Sequence, residues 1–471
     1  MIMHAEDTIA APATVPGTGA ISIIRISGPQ TFPTVDRLVR FRSSDASSSD
    51  GYRIKYGEIT LHDGSVLDEV LVSIFRKPHS YTGEDMVEIC CHASSYIVGQ
   101  LMEILGTFGV RPAAPGEFTQ RAFINGRLDL AQAEAVADVI AAESEAAHRI
   151  AMRQMRGGFS SELAQMRTEL LEMTSLLELE LDFSEEDVEF ADRGRLTALL
   201  DRVDAHLDRL IGSFRMGNAI RRGVPVAIVG PVNAGKSTLL NALLDDDRAI
   251  VSDIAGTTRD TIEETLNIDG VLFRFIDTAG LRETAEQIEQ TGIERSLRML
   301  SEASVVLLVL DASSPEEELT GVISDVVKKV NLSEQDLLIL LNKSDLDEVN
   351  KKVIDINSIV SSSENQIGII RIAAKTRFGI GTLKKALADK WKTKNQNVDE
   401  TLVTNTRHLE ALRTASVSLR RVREGLSSHL PTDLVAQDLH DTLDALGSIL
   451  GASITPDEVL GNIFRNFCIG K

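Results

Sequence analysis

The 471-residue sequence predicts a multidomain α/β and α protein, and three observations carry that prediction. The N-terminal stretch alternates apolar and polar residues as half-buried strands do, at Ile21 and Ile23, at Val70, Val72 and Ile74, and at Val87, Ile89 and Cys91. From Leu128 to about Arg215 the chain is rich in Ala, Leu, Glu and Gln with almost no proline, and Leu163, Met166, Leu170 and Met173 recur at helical spacing. Beyond that, apolar runs beginning at Val224, Val271, Val305, Leu337 and Ile367 alternate with helical stretches, the pattern of a largely parallel sheet.

In chain order, residues 1–125 read as an N-terminal α+β domain, with Ser43 to Gly51 as a serine-rich loop. Residues 126–220 read as the first part of a helical domain whose apolar stripe is packing surface rather than a cofactor box. The acidic residues Glu185, Glu186, Asp187 and Glu189 read as a solvated turn. Residues 221–392 form the α/β domain, and residues 393–471 are helical again. Neither helical part caps itself, so the two are expected to form one bundle with the α/β domain inserted. There are no internal repeats.

Composition narrows the function. A net charge of −21 opposes broad, non-specific nucleic-acid binding, which relies on a positive field. Cys90, Cys91 and Cys468 show no C-x-x-C spacing, so neither a zinc site nor a disulfide framework is expected. Adjacent Cys90 and Cys91 should project to opposite faces of a strand as ordinary packing groups. No apolar run approaches the ~18 residues of a membrane span. Met1 to Asp7 lacks the apolar core of a signal peptide, and reduced thiols fit a cytoplasmic location.

Four phrases inside the α/β domain carry the chemistry. Gly230-Pro231-Val232-Asn233-Ala234-Gly235-Lys236-Ser237-Thr238 joins a strand to a helix, so backbone N–H groups and the helix end converge on one point suited to phosphate. Gly230 and Gly235 permit close backbone approach, Lys236 can reach β- and γ-phosphates, and Ser237 suits Mg²⁺. Gly256-Thr257-Thr258-Arg259-Asp260 supplies Thr258 as a second Mg²⁺ hydroxyl. Asp277-Thr278-Ala279-Gly280 offers a carboxylate at a strand end and an amide that can sense the γ-phosphate. In Asn342-Lys343-Ser344-Asp345, the Asp345 carboxylate can accept two hydrogen bonds from a guanine edge, which adenine cannot donate. Together they predict binding and hydrolysis of GTP. Leu281 stands where Ras-type enzymes place a water-orienting glutamine, so other groups must help. Asn233 admits two readings: a ligand for a monovalent cation beside the phosphates, or a residue that shapes the loop.

These motifs, together with Arg25 to Gly28, Thr82 to Asp85, Pro115 to Phe118 and the terminal Phe467-Cys468-Ile469-Gly470-Lys471, resemble the tRNA uridine-modification GTPase family, MnmE or TrmE, from Asp7 to the last residue. The resemblance implies a K⁺-activated GTP hydrolase whose G domains pair across the nucleotide. K⁺ would be held by Asn233, Ser252, Ile254 and Thr257, and Mg²⁺ by Ser237 and Thr258. Glu289 would position the attacking water, and Lys236 would act as a catalytic residue on the phosphates. The nucleotide would also meet Ala234, Gly235, Thr238, Asp277, Gly280, Asn342, Lys343, Asp345 and Ala374. A tetrahydrofolate derivative, 5-formyl or 5,10-methylene, would sit at Arg25, Glu88, Arg127 and Lys471 of an N-terminal domain that also dimerises, with Cys468 acting nearby. The family works as a homodimer and as a heterotetramer with a flavin-dependent MnmG-type protein, which carries most of the tRNA grip. Together they add a carboxymethylaminomethyl or aminomethyl group to the wobble uridine. The alternative is a GTP-dependent binding switch in ribosome assembly.

The sequence departs from the family's pattern in three places. Ala373-Ala374-Lys375 replaces the usual S-A-x, with Arg377 for the following glycine. His92-Ala93-Ser94 replaces H-G-G, and Arg127 stands where some members have Lys.

Overall fold

The computed structural model describes residues 7–61, 63–182, 193–244, 264–276, 300, 302–345, 367–394, 401–428, 430–452, 460, 463–464, 467–468 and 470. The chain divides into two compact units. One combines Met1–Ala141, Ile150–Ile211 and Thr406–Lys471; the other combines Ala142–Arg149 and Gly212–Asn405.

The first unit opens with seven strands: β1 (Ile9–Pro12), β2 (Ile21–Ser27), β3 (Val39–Phe41), β4 (Arg53–Thr60), β5 (Val66–Phe75), β6 (Met86–His92) and β7 (Arg111–Pro112). They form one sheet in the order β3-β4-β5-β6-β2-β1-β7. Alternation along β5 and β6 buries Val70, Val72, Ile74, Val87 and Ile89 against α1 (Thr31–Leu38) and α2 (Ser95–Thr107), through Val35, Leu101 and Leu105. Cys91 turns inward and Cys90 is half-buried, so the two thiols do lie on opposite faces. Burial and the nearby Asp68 push the Cys91 thiol up to about 11, an inert packing group. The short or mostly polar β1, β3, β4 and β7 carry too weak a period for sequence reading to find them.

Helices α3 (Glu117–Ile124), α4 (Leu130–Ile140), α5 (Glu145–Met155), α6 (Gly158–Asp182) and α7 (Arg193–Arg222) follow. Asp129 and Gln132 close a capping box at the start of α4, each side chain bonding the other's backbone N–H. Leu163, Met166, Leu170 and Met173 on α6 are all buried, as the helical stripe predicts. The late helices of the chain, α11 (Thr406–Ser427) and α12 (Thr432–Leu450), pack together and α12 lies on α6. A buried polar tie joins α4 to α11: Glu134 accepts from Arg407 Nε at 2.8 Å and meets His408 Nε2 at 2.7 Å. Burial alone would raise the Glu134 carboxyl, but His408 and Arg407 outweigh it and hold it down to about 2. Arg407 also donates to the Ser448 and Ile449 carbonyls, capping the last turn of α12.

Among its described residues the second unit holds six strands, β8 (Val224–Val229), β9 (Glu264–Ile268), β10 (Val271–Phe275), β11 (Val305–Asp311), β12 (Asp336–Asn342) and β13 (Ile367–Arg371), ordered β13-β12-β11-β8-β10-β9. Every pairing is parallel except β9 with β10. Helices α8 (Lys236–Leu244), α9 (Glu316–Val327) and α10 (Ile380–Lys394) complete the described part. The central strands are apolar on both faces because helices cover each side; Leu239 and Leu383 pack on one face, and Leu319 and Ile323 on the other. The mostly parallel sheet is the one the sequence predicts. The antiparallel edge strand β9 is an addition: only Leu266 and Ile268 of its five residues are buried, so it reads as polar. Its signal was the Asp269-Gly270 dipeptide, whose positive φ values of 50° and 84° make the two-residue hairpin turn into β10.

Ser252, Ile254, Thr257, Thr258, Asp277, Gly280, Glu289, Lys471 and the acidic residues 185–189 lie outside the described residues.

Candidate functional site: a phosphate loop and an arginine pair

In an open parallel sheet, ligands bind outside the carboxyl ends of the strands. Here three strand ends meet: β8 runs into Gly230, β11 ends at Asp311 and β12 at Asn342. Gly230 has φ +147°, and a Cβ there would fall 2.1 Å from the Val309 carbonyl oxygen. Gly235 has φ +98°, and its Cβ would fall 2.2 Å from Asn342 Nδ2. Both glycines are therefore demanded by close approach as well as by φ. Asn233 sits at φ +62°, the left-handed region that asparagine tolerates better than most residues.

Lys236 opens α8 and folds across the loop, donating to the Gly230 and Pro231 carbonyls at 2.9 and 2.8 Å. Burial lowers its ammonium from the ordinary lysine value, and a nearby anion would act in the opposite direction. Ser237 and Thr238 follow, exposed in the first turn of the same helix. A tight backbone cradle, a lysine and a hydroxyl at a helix N-terminus form a donor set that fits a phosphate chain with Mg²⁺.

Asn342 joins the motifs. Its Nδ2 donates to the Ala234 carbonyl at 2.8 Å, while its Oδ1 accepts from Ala374 N at 2.9 Å. One buried amide thus locks the phosphate loop to the turn after β13. Ser344 N donates to the Ile372 carbonyl at 3.1 Å and its Oγ to Leu341 O at 2.8 Å, leaving Asp345 exposed beside the loop. The structure brings Asn233 to Thr238, Asn342, Lys343, Asp345 and Ala374 to one end of the sheet. Arg377, where the family has glycine, adopts φ +63°, so the turn keeps its left-handed geometry with an unfavoured residue.

The N-terminal candidates meet elsewhere. The β2–β6 register sets Arg25 opposite Glu88, and Arg25 Nε and Nη2 donate to Glu88 Oε1 at 3.0 and 2.7 Å. The Arg25 guanidinium also lies 5.2 Å from the Tyr81 ring and 5.5 Å from the Phe118 ring. Its Nη1 donates to the Gly470 carbonyl at 3.2 Å. The chain end reaches it because Phe464 and Phe467 pack with Leu130, Ala133 and Val136, over Gly116, where a Cβ would fall 2.8 Å from the Phe464 carbonyl oxygen. Gly116 N also donates to the Cys468 carbonyl at 3.4 Å, with Cys468 itself exposed. Arg127 is exposed and lies along the Thr82-Gly83 loop, its Cγ 3.2 Å from where a Gly83 Cβ would stand. An arginine held between a carboxylate and two rings suits a flat, amide-bearing heterocycle with an anionic tail.

Sequence reasoning missed what Thr82 to Asp85 and Pro115 to Phe118 do. Glu84 and Glu117 both accept from buried Arg121, which also binds Asp7, while Ser27 donates to Glu84 at 2.7 Å. These motifs form an ionic frame around Arg121; their acidic character, without an obvious cation in the same phrase, was the available signal.

The fold and the loop define a guanine-nucleotide-binding P-loop protein with an added N-terminal α+β domain and a helical bundle. The MnmE helical domain matches residues 130–468, and the N-terminus of the GTP-binding protein TrmE matches residues 8–127. The tRNA modification GTPase MnmE of Parabacteroides distasonis is 48% identical over 469 residues, covering 98% of this chain and 100% of that one. The protein of the same name from Bacteroides thetaiotaomicron is 48% identical over 471 residues, covering 99% and 100%. The chain belongs to the MnmE family. Among solved structures, the G domain of the T. maritima FeoB iron transporter matches 35% of this chain and 97% of its own at 23% identity, with a TM-score of 0.25 that carries no argument.

Proposed function

We propose that this GTPase, a hydrolase of GTP taking part in tRNA modification, is K⁺-activated. With a flavin-dependent partner it drives addition of a carboxymethylaminomethyl or aminomethyl group to the wobble uridine. The observation that carries the reading is the phosphate loop locked by Asn342 to the base-side turn, inside a chain that matches its relatives end to end. The match of residues 8–127 to the TrmE N-terminus favours it over a ribosome-assembly switch.

The loop backbone from Gly230 to Gly235 grips the phosphates, Lys236 leaves its two carbonyls to pair with β- and γ-oxygens, and Asp345 accepts from the guanine edge. Ser237 and Thr258 are the proposed Mg²⁺ ligands, and Asn233, Ser252, Ile254 and Thr257 the proposed K⁺ ligands. Held by these residues, the cations would supply positive charge against the negative charge of the transferring phosphoryl group, a role worth about 10³–10⁵ in rate when an arginine finger fills it. Glu289 is the proposed water-orienting residue in place of a glutamine at Leu281.

In the N-terminal domain, Arg25, Glu88, Arg127 and Lys471 are the proposed contacts to a tetrahydrofolate derivative, with Cys468 beside it. Glu88 already pairs with Arg25, so the pair would be met together by an amide edge. The proposed domains are residues 1–125, 126–220, 221–392 and 393–471. A homodimer, an MnmG-type partner and tRNA complete the assembly. Among the described residues no helix is long and apolar enough to cross a membrane, and a cytoplasmic site is proposed.

The test is twofold. Purified protein should hydrolyse GTP orders of magnitude faster in K⁺ than in Na⁺, with Asn233→Ala abolishing the difference; equal rates in both salts refute K⁺ activation. tRNA from cells lacking the chain should lose the modified wobble uridine; an unchanged nucleoside profile refutes the modification role.

A further inference from the structure

Lys343 lies in the guanine-side motif with its side chain only partly buried. What holds it is Asp311, the last residue of β11, which stands opposite Asn342 in the parallel β11–β12 register. Lys343 Nζ meets Asp311 Oδ2 at 2.5 Å. The other oxygen, Oδ1, accepts from Ser313 N at 3.0 Å and from Ser313 Oγ at 2.7 Å, so both carboxylate oxygens are engaged. Burial pushes the Asp311 carboxyl up, but Lys343 and Ser313 outweigh it and keep it ionised. Lys343 has φ +61°, a backbone setting that only local constraint maintains in a lysine.

With side chains 39% and 24% exposed, the ion pair is of the partly solvated kind that contributes about 0–1 kcal/mol to folding. Its main effect is geometric: it pins the ammonium and so restricts the four-carbon stem behind it. A flexible lysine would lose side-chain entropy on meeting a purine face, and a pinned one has already lost it.

We propose that Asp311 is a positioning residue for the nucleotide base: by holding Lys343, and held in turn by Ser313, it presents the lysine stem as a preset support for the purine ring. This rests on the guanine-nucleotide reading above. Neither Asp311 nor Ser313 belongs to a nucleotide-binding phrase of the sequence.

The experiment is a double-variant cycle on the full chain, reading GDP affinity with a fluorescent GDP and steady-state GTP hydrolysis. Asp311→Asn should weaken GDP about threefold to tenfold and raise KM for GTP by the same factor, with the loss in KM rather than in kcat. Lys343→Ala should lose at least as much, and the double variant no more than Lys343→Ala alone. Ser313→Ala should give a smaller loss of the same kind. Unchanged GDP affinity in Asp311→Asn, or losses that add in the double variant, would overturn the proposal. A lower melting temperature with unchanged affinity would also overturn it and leave the pair a fold contact. Wild-type protein that took up no GDP would bring down the nucleotide reading itself, a result distinct from either.

Discussion

The phosphate loop and the Arg25 pair solve binding in opposite ways. In the loop, geometry comes from backbone: Gly230 and Gly235 lack a Cβ where one would collide with Val309 and Asn342, and N–H groups are left to converge. At the arginine pair, geometry comes from side chains drawn from positions 25, 88, 81 and 118, each charged or aromatic, with the Gly470 carbonyl as a further acceptor for Arg25. A backbone site tolerates almost no added atoms but is indifferent to moderate acid. A side-chain site tolerates reshaping but depends on every charge being present.

The largest effect should come from breaking the backbone site. Gly230→Ala meets both a positive φ and a 2.1 Å collision with a backbone oxygen. It should cost about 3 kcal/mol or more and lower GDP affinity at least a hundredfold, as titration with a fluorescent nucleotide would read.

Acid sharpens the contrast from the other side. The Glu134 carboxyl, ordinarily near 4.5, is held at about 2 by His408 and Arg407. A depressed carboxyl stabilises fully above its unfolded value, so this contribution is present above pH 4.5 and is lost as pH falls from there through 2. The shift corresponds to about 3 kcal/mol, and Glu134→Gln should lower stability by about that much near neutrality while flattening the melting temperature against pH between about 5 and 2.

A smaller change is expected at Arg25→Lys, which keeps charge but loses the forked contact to Glu88 and the Gly470 carbonyl. It should cost about 1 kcal/mol in thermal unfolding, and weaken a tetrahydrofolate about tenfold by equilibrium dialysis, while GDP affinity stays as it was. Gly270→Ala should match that folding cost and leave both sites untouched: φ is again positive, at 84°, but nothing lies within 4 Å of the added carbon. About 1 kcal/mol in a denaturant titration is expected. If Gly230→Ala proved equally mild, the collision would not be what makes the loop glycines necessary.

The same contrast explains what could be read in the sequence. The phosphate loop is contiguous, so its nine residues state its chemistry, and strand, turn and helix follow in order. Val224 to Val229 is found as the strand expected, and the stripe from Leu163 to Met173 is buried as the helical spacing implies. The arginine pair was legible only through family likeness, because β-register brings residue 25 to residue 88 and no spacing rule encodes register. Strand β9 escaped because only two of its five residues are buried, although Asp269-Gly270 announced its turn. Asp311 escaped because its partner, Lys343, is a neighbour only across two parallel strands.

The single amide of Asn342 has an implication for interpreting variants. It touches the first motif with its nitrogen and the last with its oxygen. Enzymologists who alter it to probe discrimination among bases will also loosen the grip on the pyrophosphate, so a change in selectivity there cannot be assigned to the ring alone.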